Sequence, residues 1–148
     1  MFDKKKLKPI TEALLPAIYQ AGVVIMEVFQ REEIAVKTKK NTSPVTEADE
    51  RAEAVILAAL TEIVPEIPVI AEEKAEAEGL PDGKYQEFFL VDPLDGTKEF
   101  INKATSFTVN IALIQNGQPV FGIVYAPALN ELFIGLGVGK AFKISERG

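Results

Sequence analysis

Between residues 11 and 29 the apolar positions Leu14, Leu15, Ile18, Val24, Ile25 and Val28 recur at helical spacing, which predicts one amphipathic helix. Pro16 is awkward inside it, marking either a kink or the first turn. The period then changes. "EIAVKTK" alternates like a strand, and "KKNTSPVTEADERAEAVILAALTEI" reads as a polar loop feeding a second helix, with Thr46 as its N-cap. Two short apolar runs, "IPVIAEE" and "EFFLVD", end in acid and read as buried strands that deliver side chains at their C-terminal ends. Between them "KAEAEGLPDGK" reads as a solvated loop with a Pro-Asp-Gly turn. From Ser106 onward strand follows strand. "FTVNIALIQNGQPVFGIVYAP" predicts a hairpin around Asn116-Gly117, and "NELFIGL" with "GKAFKI" predicts another pair. Helices first and strands after predict an α+β class, helices packed on a largely antiparallel sheet.

No repeat or long linker divides the chain, so residues 1–148 are expected to form a single domain. The sequence stops as its last strand finishes, with no helix behind it to cover the sheet's other face. We therefore expect a fragment of a longer protein, with an uncovered sheet available for self-association.

Composition narrows the chemistry. At 47% hydrophobic and 26% charged, the 148 residues suit a soluble globular protein. A net charge of −6 argues against nucleic acid as a partner. The lysine-led N-terminus superficially resembles a signal peptide, but Glu12, Gln20 and Glu27 interrupt its apolar part and no small-residue cleavage pattern follows. No apolar stretch is expected to reach the ~20 residues of a membrane span, so the expectation is a soluble intracellular protein. The chain has neither His nor Cys. That excludes imidazole acid–base chemistry, Ser-His-Asp and Cys-His nucleophiles, disulfides, and the soft ligands favoured by zinc and copper. Carboxylates, hydroxyls, amides and Lys remain, and hard oxygen ligands suit Mg²⁺, Mn²⁺ or Ca²⁺.

The candidate carboxylates stand at ends of elements: Asp49 in the first turn of the second helix, Glu72 and Glu73 after "PVIA", then Asp92 and Asp95. Parallel-lying strand ends would bring Glu72 and Asp92 together, and "DPLD" would turn the Leu94 carbonyl and Asp95 toward the same point. Such a cluster is costly unless cations neutralise it. Two metals ~3.5–4 Å apart would clamp a phosphoryl group. Gly96 lets a phosphate approach the backbone, "GTKEFINK" opens a short helix, and Thr97 paired with Asp49 could orient and deprotonate a water. Each piece also has a bland reading. Asp49 fits a capping box, Glu72-Glu73 a solvated charge run, and "DPLDGT" a plain turn. An EF-hand counted from Asp92 fails, because its sixth and twelfth positions hold Thr97 and Lys103. No Asp-x-Asp-x-Thr phosphatase motif or P-loop is present.

Taken together, "SPVTEADERAEAVI", "VIAEEK", "LVDPLDGTKEF" and "FTVNIALI" resemble the inositol monophosphatase superfamily of Mg²⁺-dependent, lithium-sensitive phosphatases. "DPLDGTKEF" points to its CysQ-type branch, the 3'(2'),5'-bisphosphate nucleotidases. The resemblance implies that Glu72, Asp92 and the Leu94 carbonyl hold one Mg²⁺, that Asp92 and Asp95 share a second, and that Glu72 faces a looser third. It implies that Glu72, Leu94, Asp95, Gly96 and Thr97 line the substrate, and that Asp49, Thr97 and Glu72 are catalytic. The implied reaction removes the 3'-phosphate from 3'-phosphoadenosine 5'-phosphate to give AMP, a clearance step in sulfate assimilation. The implied location is the cytoplasm, with peripheral association at the inner membrane. Inositol 1-phosphate hydrolysis is the sister alternative, and an inactive metal- or phosphate-binding fragment is the alternative of another class. The family's fold is a five-layer αβαβα sandwich, of which this chain resembles the N-terminal half. Relatives carry a C-terminal Trp-Asp-x-Ala motif that completes the second metal site, whereas this sequence has no Trp and has Ser106 where many relatives have an acid.

Overall fold

The computed structural model describes residues 4–38, 44–71, 85–137 and 141–144. After a 3-10 turn at Lys4–Lys6, helix α1 spans Leu7–Phe29. It starts a turn earlier than the periodicity predicts because Leu7 and Ile10 are already buried, and the Thr11 hydroxyl donates to the Leu7 carbonyl at 2.7 Å. Pro16 lies on the exposed side of the helix, where its missing N–H removes a ladder bond. By length and composition α1 could cross a membrane, which corrects the expectation that no stretch has that length. In this fold Leu14, Ile18, Ala21 and Ile25 are fully buried in the core.

Helix α2 (Glu47–Ile63) buries Ala48, Ala52, Ile56 and Leu60, one face at four-residue spacing, and packs along α1. Its N-cap is Thr46, as expected. Ahead of it, β1 (Val36–Thr38) and β2 (Pro44–Thr46) form an antiparallel pair. The sequence predicts a polar loop over β2; three residues carry too little pattern to announce a strand that exists through its pairing with β1.

The main sheet contains β3 (Val69–Ala71), β4 (Glu87–Asp95), β5 (Thr108–Gln115), β6 (Gln118–Ala126), β7 (Glu131–Gly135) and β8 (Ala141–Ile144), in sequential order. Only β3–β4 is parallel; the rest are antiparallel neighbours. The expected hairpin turns at Asn116 and Gly117, both at positive φ (50° and 76°), the backbone that two-residue hairpins require. The predicted loop at 74–84 lies outside the described residues.

Strand alternation sets the layers. Phe89, Val91, Val109, Ile111, Leu113, Phe121, Ile123 and Leu132 enter one core with the helices. On the opposite face Leu90, Val124 and Phe133 are exposed. Tyr125 packs edge-on against Tyr19 of α1 at 5.3 Å. It also fills the space above Gly22, where a Cβ would stand 2.5 Å from its ring. The fold is α+β, helices on one side of a largely antiparallel sheet.

Candidate active site

Asp92 and Asp95 are three apart, and in a regular strand would point to opposite faces. The structure corrects the expectation that "EFFLVD" ends at Asp92, because β4 continues to Asp95 through an irregularity. Asp92 pairs with Asn110 and Asp95 with Thr108, so Pro93 and Leu94 together oppose the single residue Val109. Pro93 cannot donate to the ladder, and the extra residue is absorbed as a bulge. Asn110 and Thr108 share a face of β5, so the bulge returns Asp95 to the face of Asp92. Both Pro93 and Leu94 turn toward the interior.

Gly96 follows at φ 91°, a left-handed conformation that glycine adopts freely. A Cβ there would meet Glu99 Oε2 at 3.2 Å and Phe107 Cα at 3.4 Å. The turn launches α3 (Thr97–Ile101), the short helix expected from "GTKEFINK". Phe100 and Phe107, both fully buried, seat it beside Phe29 of α1, with ring centroids 5.0–5.5 Å apart across the trio. Lys103 locks the far end by donating to the Arg31 carbonyl at 2.6 Å and to the Phe29 carbonyl.

This placement brings Thr97 to Asp49. Thr97 Oγ1 donates to Asp49 Oδ1 at 2.9 Å; the alternative acceptor, the Leu94 carbonyl, is 3.3 Å away. Asp49 Oδ2 meanwhile accepts from Thr46 N (2.9 Å) and Thr46 Oγ1 (2.7 Å), while Thr46 Oγ1 accepts from Ala48 N at 3.2 Å. The capping reading of Asp49 holds through Oδ2, and Oδ1 is the oxygen that meets Thr97. Asp49 is fully buried. Burial raises its pKa above the ordinary carboxylate value of 3.8, against the opposing effect of hydrogen bonds from Thr46 and Thr97.

Asp49, Thr97 and the Leu94 carbonyl thus meet, with Asp92 and Asp95 on one sheet face just before them. Glu72 and Glu73 lie outside the described residues. β3 and β4 are parallel, with Ala71 opposite Val91. Among the described residues no three acidic side chains gather into a metal-binding group. Sequence reasoning missed two polar partners. The first is the Thr46 side chain, known only as a cap. The second is Asn110, whose Nδ2 donates to Asp95 Oδ2 at 3.3 Å. The strand alternation of "TVNIALI" was its available signal, since it puts Asn110 on one face with Thr108 and Ala112. The donor set consists of carboxylate and carbonyl oxygens, as a hard cation requires. Asp92 Oδ1 and Asn110 Oδ1 are both buried, and no described residue donates a hydrogen bond to Asn110 Oδ1.

Comparison with known proteins finds relatives of this chain in sequence and in fold. The model of the inositol monophosphatase family matches residues 6–147. The chain is 47% identical over 124 residues to the 3'(2'),5'-bisphosphate nucleotidase CysQ of Salmonella typhimurium, covering 83% of this chain and 50% of that protein. The crystal structure of CysQ from Bacteroides thetaiotaomicron superimposes with a TM-score of 0.74 at 35% identity, covering 95% of this chain and 50% of that one. An IMPase/NADP phosphatase complexed with Mg²⁺ and phosphate shares the fold at TM-score 0.77 and 23% identity, covering 93% of this chain and 51% of its own. The chain spans about half the length of the relatives it matches.

Proposed function

The chain belongs to the inositol monophosphatase family, and from that premise we propose that the whole protein is a Mg²⁺-dependent phosphomonoesterase. Its substrate is 3'-phosphoadenosine 5'-phosphate, from which it removes the 3'-phosphate to give AMP and phosphate. The names of the CysQ relatives, 34–47% identical to this chain, support that substrate. The same proposal makes the reaction a cytoplasmic clearance step of sulfate assimilation, inhibited by lithium.

The observation that carries the hydrolytic reading is the Asp49 Oδ1–Thr97 Oγ1 hydrogen bond, which joins two helix starts beside the carboxylates of β4. Asp92, Asp95 and the Leu94 carbonyl, with Glu72, would hold two or three Mg²⁺ ions. When bound, Mg²⁺ supplies Lewis-acid charge to the phosphoryl oxygens and acidifies the attacking water. The chain's own groups do the rest. Gly96 presents bare backbone to the substrate phosphate, and the main chain from Leu94 to Thr97 lines it. Thr97 gives its proton to Asp49, which leaves its oxygen lone pairs to accept a proton from water. Water oxygen forms the new P–O bond as the bond from phosphorus to the ribose 3'-oxygen breaks, and that departing oxygen takes a proton from solvent water to become the 3'-hydroxyl of AMP. The burial-raised pKa of Asp49 suits it to take up the relayed proton.

Phosphate release by the whole protein, with 3'-phosphoadenosine 5'-phosphate compared against inositol 1-phosphate, tests the reading. A higher kcat/KM for the nucleotide is expected. Preference for the inositol ester would assign the sister activity, and Mg²⁺ binding without turnover of either would make the protein a binding module.

A further inference from the structure

Asn110 lies between the two aspartates of β4. Its cross-strand partner is Asp92, so their side chains emerge side by side on one face. Its amide nitrogen reaches diagonally over the bulge to Asp95 Oδ2, at 3.3 Å. Asp95 itself pairs with Thr108 and is exposed at the strand end.

We propose that Asn110 is a positioning residue for the metal site, holding the Asp95 carboxylate in a fixed orientation beside Asp92. The inference rests on the metal reading given above. An amide suits the task because it donates a hydrogen bond without carrying charge. Lys or Arg at this position would neutralise the carboxylates and compete with the cation, and an apolar residue would leave Asp95 free to rotate. The other end of the amide is consistent with the same role. Asn110 Oδ1 is a buried acceptor with no donor among the described residues, and a cation or its hydration water is the kind of group that would satisfy it. Outer partners of metal ligands set ligand orientation, and their loss typically weakens metal affinity by ~10–100-fold.

The test is titration of the protein with Mn²⁺, followed by the paramagnetic resonance signal of the free ion, beside metal-free thermal unfolding. Asn110→Ala removes the amide, and Asn110→Leu removes it while keeping the side-chain volume. Both are expected to weaken Mn²⁺ binding by about tenfold or more, with the metal-free midpoint of Asn110→Leu unchanged. Asp92→Asn is the control and is expected to lose the ion. Wild-type Mn²⁺ affinity in both Asn110 variants, while Asp92→Asn loses the ion, would overturn this inference and leave the metal reading standing. So would a lowered metal-free midpoint in Asn110→Leu with affinity intact, which would make Asn110 a strand-holding residue. If the wild-type protein binds no Mn²⁺, the metal reading falls and this inference falls with it.

Discussion

The two oxygens of Asp49 divide its work, one closing the N-terminus of α2 and the other receiving Thr97. Asp49→Asn keeps the shape and removes the proton acceptor. The whole protein should lose ~10²–10⁴-fold in kcat, the range for a lost general base, while calorimetry shows Mg²⁺ binding retained. Retained turnover would return Asp49 to the role of a cap. The same substitution should change how stability depends on pH. The raised pKa means that the folded state holds the Asp49 proton more tightly than the unfolded chain. Its favourable contribution is fully present below the unfolded value near 3.8 and is lost as pH rises through the folded value. Asn at this position should flatten that decline, measured as urea unfolding free energy across the acid range.

At the scale of elements, Gly96 decides whether β4 delivers α3 to α2. Gly96→Ala forces a side chain into left-handed backbone and against Glu99 and the Phe107 main chain. It should cost about 1–3 kcal/mol in denaturant unfolding. It should also separate Thr97 from Asp49, so that turnover falls further than stability alone explains. This turn was legible in the sequence because glycine between an acid-ended strand and a helix start is local information. The Thr46 cap and the Asn116-Gly117 hairpin were legible for the same reason. The continuation of β4 was not, since Pro93 ends a strand by every local rule and only the partner strand β5 carries the chain through it. Nor was β2, which depends on β1. The meeting of Asp49 with Thr97, 48 residues later, was suggested by the chemistry a carboxylate and a hydroxyl can share and not by periodicity. Asn110 escaped notice because a polar residue on a strand's outer face is unremarked until the bulge is known.

Across the whole molecule the asymmetry of the sheet dominates. One face is packed by α1 and α2, while the other shows Leu90, Val124 and Phe133 at 38–45% exposure. Val124 and Phe133 are direct cross-strand partners, so these residues form a surface and not scattered points. The 148-residue chain should therefore self-associate with rising concentration. Phe133→Lys should shift it toward monomer in sedimentation velocity with the secondary structure unchanged. An unaltered association constant would place the contact elsewhere.

The bulge in β4 has a consequence for inheritance. A main-chain oxygen has no codon of its own. Substituting Leu94 tests a buried side chain, 2% exposed, and leaves its carbonyl in place. Point mutation can therefore erase Asp92 or Asp95 in one step, but it reaches their backbone companion only indirectly. Deleting one residue between the aspartates would do what no substitution does. Asp92 and Asp95 would stay on one face with regular pairing to β5, and the supernumerary carbonyl would be gone. A lineage drifting by substitution would keep that donor through wide sequence change, and a single in-frame deletion would end it.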